Sequence, residues 1–442
     1  MFKRKAYDLL LEWKKEYQGR TACLVEGARR VGKTTLVEEF AANEYQTYIK
    51  IDFSIASKEI KSAFDDISKM DLFFLKLQTE TGIELIERNS VIIFDEVQLY
   101  PKARQAIKHL VKDGRYDYIE TGSLISIKKN VKDILIPSEE HKVMLYPLDY
   151  EEFMWAVGKN PSIIRKTCET GTGIGDGTNR LMMRDFRIYM AVGGMPQAVE
   201  EYIQTNNLDR VDHVKLDILN LYQDDLRKID PSGLLSKIYL NVPSQLALNK
   251  KRYVISKATG KKKNDKDLER LYELIDAGMV LPCYNVKKPD LALEQTVDLD
   301  CFKLYVTDIG LFTSMIFNSQ SETGRDIYKK LLSDKLSADL GYMYENVVAQ
   351  ILVAAGRKLY YHTWQKENSS HGYEIDFLII MNKKLVPIEV KSSATKRHES
   401  LDAFCNKYSS VIGRRFLLSQ KDVGHEQMIE LKPVYMLPFI LN

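Results

Sequence analysis

The chain has 442 residues and a mass of 51.0 kDa, which is too long for a single hydrophobic core and predicts three or four units. Hydrophobic residues make up 45% of it and charged residues 28%, which is enough apolar material for packed cores and excludes a disordered chain. The net charge of +3 excludes a uniformly basic surface but allows a local basic patch.

The N-terminus, MFKRKAYDLLLEWKKEYQGR, is charged throughout and does not show the apolar core of a signal peptide. Apolar runs such as VIIF and FLIIM have the length of a strand and not of a membrane span. The five cysteines are scattered without a C-x-x-C pair, so neither a disulfide framework nor a zinc site is predicted. We therefore expect a soluble cytoplasmic protein without membrane contact.

The first strong motif is TACLVEGARRVGKTTLVEEF. TACLVE predicts a strand, GARRVGKT fits the phosphate-loop pattern G-x-x-x-x-G-K-[ST], and TTLVEEF has helical spacing. Gly27 and Gly32 let the backbone curl so that N–H groups and the helix N-terminus face phosphates. Lys33 is expected to reach the β- and γ-phosphates of ATP, and the Thr34 hydroxyl to ligate Mg²⁺. The predicted nucleotide-binding residues of this loop are Gly27, Ala28, Arg29, Arg30, Val31, Gly32, Lys33, Thr34 and Thr35.

Further strand ends complete the predicted ATP site. VIIFDEVQ places Asp95 and Glu96 after four apolar residues, the pattern of a buried parallel strand that ends at a site. Asp95 is predicted to hold the Mg²⁺ shell and Glu96 to polarise the attacking water, with a helix cap as the alternative for Glu96. YIKIDF is another strand, and YDYIETGS ends in Thr121 and Ser123, whose hydroxyls either sense the γ-phosphate or form a turn. Thr121 is counted among the nucleotide-binding residues.

From Asp149 to about Lys228 the periodicity is helical, which suits a lid over the nucleotide. Within it GTGIGDGTNR is glycine-rich, but no strand precedes it, so it is interpreted as a flexible insertion and not as a second phosphate loop. Arg184 and Arg187 precede GGMP, and each is either a phosphate sensor, an arginine finger or a solvated helix residue. From the residues alone, GGMP is a turn breaker.

After Asp230, two or three short helices precede two strands, which is the order of a winged helix. A basic stretch falls in this region, and both DNA contact and protein docking are open for it. Its residues are Lys250, Lys251, Arg252, Lys257, Lys261, Lys262 and Lys263.

The C-terminal region has the element order of a restriction-endonuclease-like core. GYMYENVVAQILVAAG is a helix that carries Glu345, and KLYYHTW, GYEIDFLII and KLVPIEVKSS are three strands. Because side chains alternate along a strand, Glu389 and Lys391 share a face, and Asp376 on the neighbouring strand can join Glu389 in holding Mg²⁺. Lys391 would then orient a water or neutralise charge at a phosphodiester. The short acid-acid-lysine motif is expected by chance in such a chain, so the element order supports the fold more than the activity.

Together with LYPLDYEEF and YMAVGGMPQAV, these motifs resemble a widespread prokaryotic family of AAA-type P-loop ATPases. Its members carry a C-terminal domain of unknown function, DUF4143, related to restriction endonucleases, and they are similar to archaeal and STAND-like ATPases. The resemblance covers nearly the whole chain. It implies that the segment from Gly194 to Pro196 packs by the nucleotide, and it places Glu345 at the periphery of the C-terminal metal site.

The predicted fold class is α/β. A P-loop NTPase domain of the AAA kind is expected at 1–148, a helical lid at 149–228, a winged-helix domain at 229–318 and a restriction-endonuclease-like α/β domain at 319–442.

The leading hypothesis is an ATP-hydrolysing switch, with ATP and Mg²⁺ as cofactors, that couples nucleotide state to a nuclease-like domain associated with DNA. The alternative is an ATP-gated module whose nuclease-like domain is inactive and binds a protein partner. A small-molecule kinase would leave the later domains unexplained. An arginine from a neighbouring subunit would require an oligomer, which the sequence leaves open.

Overall fold

The computed structural model describes residues 1–123, 138–248, 252–260, 265–317, 328, 331–333, 340–366, 372–392 and 398–441. Of the predicted basic stretch, Lys250, Lys251, Lys261, Lys262 and Lys263 lie outside these residues. The chain forms two compact units, Met1–Tyr146 with Asp276–Gly278 and Pro147–Ile275 with Met279–Asn442. We call them the N-terminal unit and the C-terminal unit. No helix in the described part of the chain has the length and apolar character needed to cross a bilayer.

The N-terminal unit is built on a five-stranded parallel sheet in the order β2-β3-β4-β1-β5. Its strands are β1 (Ala22–Gly27), β2 (Thr47–Asp52), β3 (Ser90–Asp95), β4 (Asp117–Ser123) and β5 (Glu140–Met144). Its helices are α1 (Lys5–Tyr17), α2 (Lys33–Glu44), α3 (Lys58–Ala63), α4 (Met70–Thr81) and α5 (Pro101–Asp113). Strands β1, β3 and β4 are buried along their whole length, as expected of central parallel strands.

The strand order brings three chain segments to one edge of the sheet. Because β4 lies between β1 and β3, the carboxyl ends of these strands are adjacent. The phosphate loop follows β1, Asp95 ends β3, and Thr121 lies near the end of β4. Open α/β sheets bind their ligands at this edge.

An aromatic cluster fixes the end of β3. The ring of Phe64 makes edge-on or T-shaped contacts with Phe53, Phe73, Phe94 and Tyr100, at centroid distances of 5.0 to 5.8 Å. Such pairs favour one relative orientation of the rings. Since Phe94 directly precedes Asp95, this packing also fixes where Asp95 leaves the strand.

The first half of the C-terminal unit is helical. Five helices lie between residues 147 and 230: α6 (Tyr150–Ala156), α7 (Ser162–Thr170), α8 (Asp176–Val192), α9 (Pro196–Thr205) and α10 (Leu208–Ile229). Shorter helices follow at α11 (Leu234–Leu240), α12 (Val242–Ala247) and α13 (Ile255–Thr259), and then comes α14 (Asp265–Asp276).

The prediction of a flexible insertion from Gly171 to Arg180 was wrong in its second half. Helix α8 begins at Asp176, so the glycine-rich segment ends in regular helix. The Nδ2 of Asn179 donates to the backbone oxygen of Gln420 at 2.9 Å, and its Oδ1 accepts from the Tyr435 hydroxyl at 3.0 Å. These partners lie far along the chain, so the local sequence gives no sign of the anchoring.

The second half of the C-terminal unit is built on an eight-stranded mixed sheet in the order β12-β13-β11-β10-β9-β8-β6-β7. Its strands are β6 (Val280–Val286), β7 (Val297–Val306), β8 (Leu359–Gln365), β9 (Gly372–Met381), β10 (Lys384–Val390), β11 (Phe416–Ser419), β12 (Gly424–Glu426) and β13 (Ile429–Pro433). The helices of this half are α15 (Ile309–Phe317), α16 (Gly341–Ala354), α17 (Glu399–Lys407) and α18 (Leu437–Ile440).

Strand β6 connects two regions that the sequence treats as separate domains. It forms an antiparallel hairpin with β7, and it also pairs in parallel with β8. The Asn346 side chain of α16 exchanges two hydrogen bonds, of 2.8 and 2.9 Å, with the backbone of Val306 in β7. The sheet therefore continues across the predicted boundary between residues 318 and 319, and a winged-helix role for the hairpin stays a prediction.

The turn between α8 and α9 is held by close backbone contacts. The Gly194 N–H donates to Oδ2 of Asp308 at 2.6 Å, and the Leu148 N–H donates to the Gly194 oxygen at 2.7 Å. A Cβ on Gly194 would lie 2.1 Å from the backbone oxygen of Leu148. Glycine at this position is therefore required by packing.

We expect Gly194→Ala to destabilise the protein by about 1–3 kcal/mol, because the added methyl group would meet backbone atoms that cannot rotate away. Thermal or urea unfolding measures the effect. Gly177→Ala in α8 is the control, since a Cβ there would meet nothing within 4 Å and alanine favours helix. Equal unfolding midpoints for the two variants would contradict this account of the turn.

Candidate functional sites

The phosphate loop between β1 and α2 has a constrained backbone. Arg30 and Gly32 have φ angles of 70° and 95°, and Gly32 leads directly into α2. A positive φ is uncommon for a residue other than glycine, and at functional sites it is maintained by the surrounding structure. A Cβ on Gly27 would lie 2.3 Å from the backbone oxygen of Leu145, so this position also requires glycine. A loop of this kind ahead of a helix N-terminus suits a bound phosphate.

Lys33 is buried at the start of α2 and folds over the loop. Its Nζ donates to the backbone oxygens of Gly27 at 3.2 Å and of Ala28 at 2.9 Å. Burial lowers the pKa of Lys33 to about 8, although the carboxylates of Glu96 and Asp95 act to raise it. The ammonium group is therefore held inside the loop and is largely protonated at neutral pH.

Three oxygen-bearing side chains meet at the carboxyl edge of the sheet. Oγ1 of Thr34 lies 2.9 and 3.2 Å from the two carboxylate oxygens of Asp95, and the Thr121 hydroxyl donates to Oδ1 of the same carboxylate. The three residues come from α2, β3 and β4. Hydroxyl and carboxylate oxygens are the hard ligands that Mg²⁺ prefers, so Thr34 and Asp95 fit the predicted metal.

Glu96 is held directly beside this group. Its N–H donates to Oγ1 of Thr121 at 3.3 Å, its carboxylate accepts from the Gln98 amide, and its φ is 54°. Helix α5 begins at Pro101 after Tyr100, and Glu96 does not cap it. The structure therefore does not support the capping alternative, and Glu96 stays a candidate for activating water.

The other predicted nucleotide residues differ in burial. Ala28 and Val31 are buried in the loop, whereas Thr35 is exposed in the first turn of α2. In the C-terminal unit, Pro196 begins α9, and its role beside the nucleotide stays a prediction. Arg187 is buried and donates to Oε1 of Gln420, so it is not a solvated helix arginine.

The C-terminal unit brings four carboxylates and a lysine to one face of its sheet. Strands β9 and β10 are antiparallel and pair Phe377 with Ile388, so Asp376 and Glu389 are the next residues opposite one another. Glu374 and Lys391 share this face because Glu374 lies two residues before Asp376 and Lys391 two residues after Glu389. Helix α16, which contacts β6, β7, β8 and β10, adds Glu345. We call these four acids the acid cluster.

Hydrogen bonds engage part of this cluster. The Val390 N–H donates to Oδ2 of Asp376 at 2.8 Å, and Nζ of Lys391 donates to Oε1 of Glu389 at 2.6 Å. Burial, followed by repulsion from Glu389, raises the pKa of Asp376 well above its usual range. Burial also raises the pKa of Glu389, against the opposing effect of Lys391. Within the described residues, Oε2 of Glu389 is buried without a hydrogen-bond partner.

Strand β7 supplies residues that sequence reasoning missed. Nζ of Lys303 donates to Oε1 of Glu374 at 2.6 Å and to Oε2 of Glu345 at 3.3 Å. The Tyr305 hydroxyl donates to the same Glu345 oxygen at 3.0 Å. Burial opposes the charge on Lys303, but Glu345, Tyr305 and Glu374 outweigh it and raise the pKa of Lys303 well above its usual range. Glu374 could have been found from its spacing to Asp376, whereas no local pattern links Lys303 to the cluster.

The acid cluster fits a metal only in part. Among the residues that the structure describes, no group of three or more His, Cys, Asp or Glu side chains is arranged to hold a metal ion. Lys303 lies on Glu345, and Lys391 lies on one oxygen of Glu389. The second oxygen of Glu389, the residue opposite Asp376, is buried and accepts no hydrogen bond from the part of the chain that the structure describes, so a hard cation would find a ligand there.

Comparison with protein families assigns most of the chain. Residues 19–154 match the AAA domain family, and residues 340–437 match a domain of unknown function, DUF4143. The chain therefore carries an AAA domain, which places its N-terminal part in the P-loop ATPase family, and a C-terminal DUF4143 domain. The predicted resemblance is thereby confirmed. Residues 183–322 match another domain of unknown function, DUF8612.

This AAA-class chain has no match among curated proteins. Among solved structures it is similar to AMPPCP-bound DnaA from Aquifex aeolicus, at 12% identity and a TM-score of 0.29 over 62% of this chain and 90% of that chain. It is also similar to the RuvB Holliday junction branch migration motor of Thermotoga maritima, at 14% identity and a TM-score of 0.28 over 63% and 89% of the two chains. It is similar as well to a STAND protein with a tetratricopeptide repeat sensor from Pyrococcus horikoshii, at 12% identity and a TM-score of 0.27 over 80% of this chain and 55% of that chain. At these low scores the function has to be inferred from the residues of the chain itself.

A buried carboxyl next to Thr121 makes the ATPase core sensitive to pH. Burial raises the pKa of Glu120 well above its usual range, and Glu140 adds to this while Arg104 opposes it. Arg104 is already paired with Glu140 through two bonds of 2.8 and 2.7 Å. Glu26 of β1, on the same face of the sheet as Glu120, also raises this pKa. Glu120 is therefore protonated in the native state over a wider pH range than in the unfolded chain.

We expect Glu120→Gln to stabilise the protein at pH 8 more than at pH 5. Because the native pKa is raised, the stability linked to this group is fully present below the unfolded value of about 4.3 and is lost as pH rises toward the native value, by up to about 1.4 kcal/mol per pH unit. Urea unfolding at the two pH values measures the difference, with Glu12→Gln on the exposed face of α1 as the control. An equal effect of Glu120→Gln at both pH values would contradict the assignment.

Proposed function

We propose that the chain is a switch driven by ATP binding and hydrolysis. The observation that supports this most directly is the contact of Thr34, Asp95 and Thr121 beside the buried ammonium group of Lys33. These residues supply the ligands and the positive charge that a Mg²⁺-bound triphosphate requires. Mg²⁺ would be held by Thr34 and Asp95, where it would neutralise charge on the β- and γ-phosphates.

The residues around the phosphate loop then have distinct roles. Lys33 exchanges the backbone oxygens of Gly27 and Ala28 for phosphate oxygens. Glu96 orients a water and takes its proton as the water oxygen bonds to the γ-phosphorus and the bond to the β–γ bridging oxygen breaks. Thr121 contacts both Asp95 and Glu96, so it keeps the metal ligand and the base in register. The products are ADP and inorganic phosphate.

The turn between α8 and α9, which we call the lid turn, supports a coupling of the nucleotide state to the C-terminal sheet. In this proposal, and by the family resemblance, the segment from Gly194 to Pro196 responds to the nucleotide. Gly194 is bonded to Asp308, which follows β7 and precedes α15. The next residue, Ile309, donates from its N–H to Oε1 of Gln350 in α16 at 2.8 Å. A shift of the turn would therefore act on β7 and α16, the elements that carry Lys303 and Glu345.

We further propose that the acid cluster binds one divalent cation and acts on a DNA phosphodiester. Among the described residues, Oε2 of Glu389, on the residue opposite Asp376, is buried without a hydrogen-bond partner, and this supports the proposal. A bound cation would supply charge neutralisation at the phosphate. Asp376 and Glu389 would hold it, and Lys391 would orient the attacking water. Glu345 is the peripheral member of the site, and Arg252 and Lys257 are candidates for DNA contact.

The second candidate is an ATP-gated binding module without cleavage. The engagement of both lysines with cluster carboxylates favours it, because the charges that would contact a phosphodiester are already paired. Such a module would turn over ATP and bind a protein partner through the C-terminal unit. The two candidates share the ATPase site and differ only in the acid cluster.

For the ATPase site, we expect Lys33→Ala to abolish ATP binding and hydrolysis, because no other lysine is placed in the loop. Glu96→Gln should keep ATP binding and slow phosphate release by about 10²–10⁴-fold, the usual contribution of a general base. Equilibrium binding of a fluorescent ATP analogue and a phosphate-release assay separate the two effects. Lys108→Ala on the exposed face of α5 is the control. Parental turnover in Lys33→Ala would refute the ATPase proposal.

For the acid cluster, we expect Mg²⁺- or Mn²⁺-dependent cutting of plasmid or branched DNA that responds to ATP. Asp376→Ala and Lys391→Ala should both abolish the cutting, since one removes a ligand and the other the charge that faces the phosphate. Lys383→Ala, in the exposed turn between β9 and β10, should cut like the parent. Intact DNA under all conditions, together with normal ATP turnover, would instead support the binding module.

A further inference from the structure

An ammonium group enters the acid cluster from outside the DUF4143 segment. Lys303 lies on β7, whereas the DUF4143 match begins at residue 340. Its side chain is 6% exposed, and its Nζ contacts Glu374 at 2.6 Å and Glu345 at 3.3 Å. Tyr305, two residues along the same strand, fixes the shared Glu345 oxygen at 3.0 Å. Side chains on one face of β7 therefore contact Glu345 and Glu374, two of the four acids of the cluster.

The two halves of the cluster differ in how their negative charge is balanced. Carboxylates that lie close together in a buried or half-buried site repel one another, and proteins relieve this repulsion by protonating one of them or by placing a metal ion or a basic side chain between them. Between Glu345 and Glu374 that charge is the Lys303 ammonium. On the side of Asp376 and Glu389, Lys391 engages one oxygen, and Oε2 of Glu389 is left without a partner among the described residues.

We propose that Lys303 is a built-in cation of the C-terminal site: it occupies the place that a divalent cation would otherwise take between Glu345 and Glu374. Divalent metal binding is thereby confined to Asp376 and Glu389. That confinement rests on the metal site of the proposed function, whereas the role of Lys303 toward Glu345 and Glu374 stands independently of it. The ligand class concerned is a hard divalent cation such as Mg²⁺ or Mn²⁺.

The test counts Mn²⁺ ions bound by the nucleotide-free, full-length chain, using calorimetry and the electron paramagnetic resonance signal of free Mn²⁺. Lys303→Met removes the charge and keeps an unbranched side chain, and Lys303→Arg keeps the charge. Lys432→Met is the matched control, because Lys432 is 4% exposed and is paired with Glu430 at 3.7 Å. We expect Lys303→Met to bind one more Mn²⁺ per chain than the parent, and the other two variants to bind as the parent does.

The thermal unfolding midpoint in Mn²⁺ is a second measurement, and a further variant is available if Lys303→Met folds poorly. Mn²⁺ should raise the thermal midpoint of Lys303→Met more than that of the parent, because the ion replaces the lost ammonium. Lys303→Gln, which keeps a donor group, serves for the same count if Lys303→Met does not fold. A Lys303 variant without its charge that shows the parental Mn²⁺ count and thermal response would overturn the proposal.

The parental count tests the proposed metal site separately. One bound ion that Asp376→Asn removes supports the site at Asp376 and Glu389. No bound ion in the parent refutes that site, and the difference between the parent and Lys303→Met still decides the role of Lys303.

Discussion

The carboxylate of Asp95 ties together three separate segments of the N-terminal unit. It accepts hydrogen bonds from Thr34 at the start of α2 and from Thr121 near the end of β4. This is achievable because β4 lies between β1 and β3, which brings the three strand ends to one edge. The aromatic packing around Phe94 and the glycine-dependent phosphate loop both serve this arrangement. A displacement of any one segment would break a contact of Asp95 with Thr34 or Thr121 beside the loop that carries Lys33.

Buried positive charge is the corresponding constraint in the C-terminal unit. Lys215 of α10 is fully buried and donates to the Ala191 oxygen at 2.7 Å and to the Tyr328 hydroxyl at 2.8 Å, with Asp212 at 3.3 Å. Lys303 is likewise buried and is paired with Glu345 and Glu374. Removal of one partner from such a pair leaves an uncompensated charge and costs about 3–5 kcal/mol. These networks therefore restrict how α10 and β7 can move, and they specify one packing of helix and sheet.

The sequence predicted what is encoded locally. The strand, loop and helix around Gly27 to Thr34 are contiguous, and Asp95 and Glu96 follow an apolar run, so the phosphate loop and the position of Asp95 at a strand end could be predicted without a structure. The shared face of Asp376 and Glu389 on β9 and β10 could be predicted because side chains alternate along a strand. Lys303 and the anchoring of Asn179 were not, because both depend on pairing between distant strands and helices. The continuous sheet through β6 and β8 was not predicted for the same reason, because the pairing of strands that are remote in the chain leaves no periodic signal in the sequence.

Lys303 is fixed to a strand, so its positive charge, unlike that of a bound metal ion, moves together with β7. Asp308, which accepts a hydrogen bond from Gly194 in the turn between α8 and α9, lies two residues after the end of β7, so the Lys303 ammonium group belongs to the same chain segment as this contact. Movement of β7 away from α16 would expose Glu345 and Glu374 to each other without a counter-charge. Such a movement is unfavourable unless a cation or a basic partner replaces Lys303. A movement of the turn at Gly194 and ligand binding at the acid cluster would then both act on β7, and the two would be thermodynamically linked.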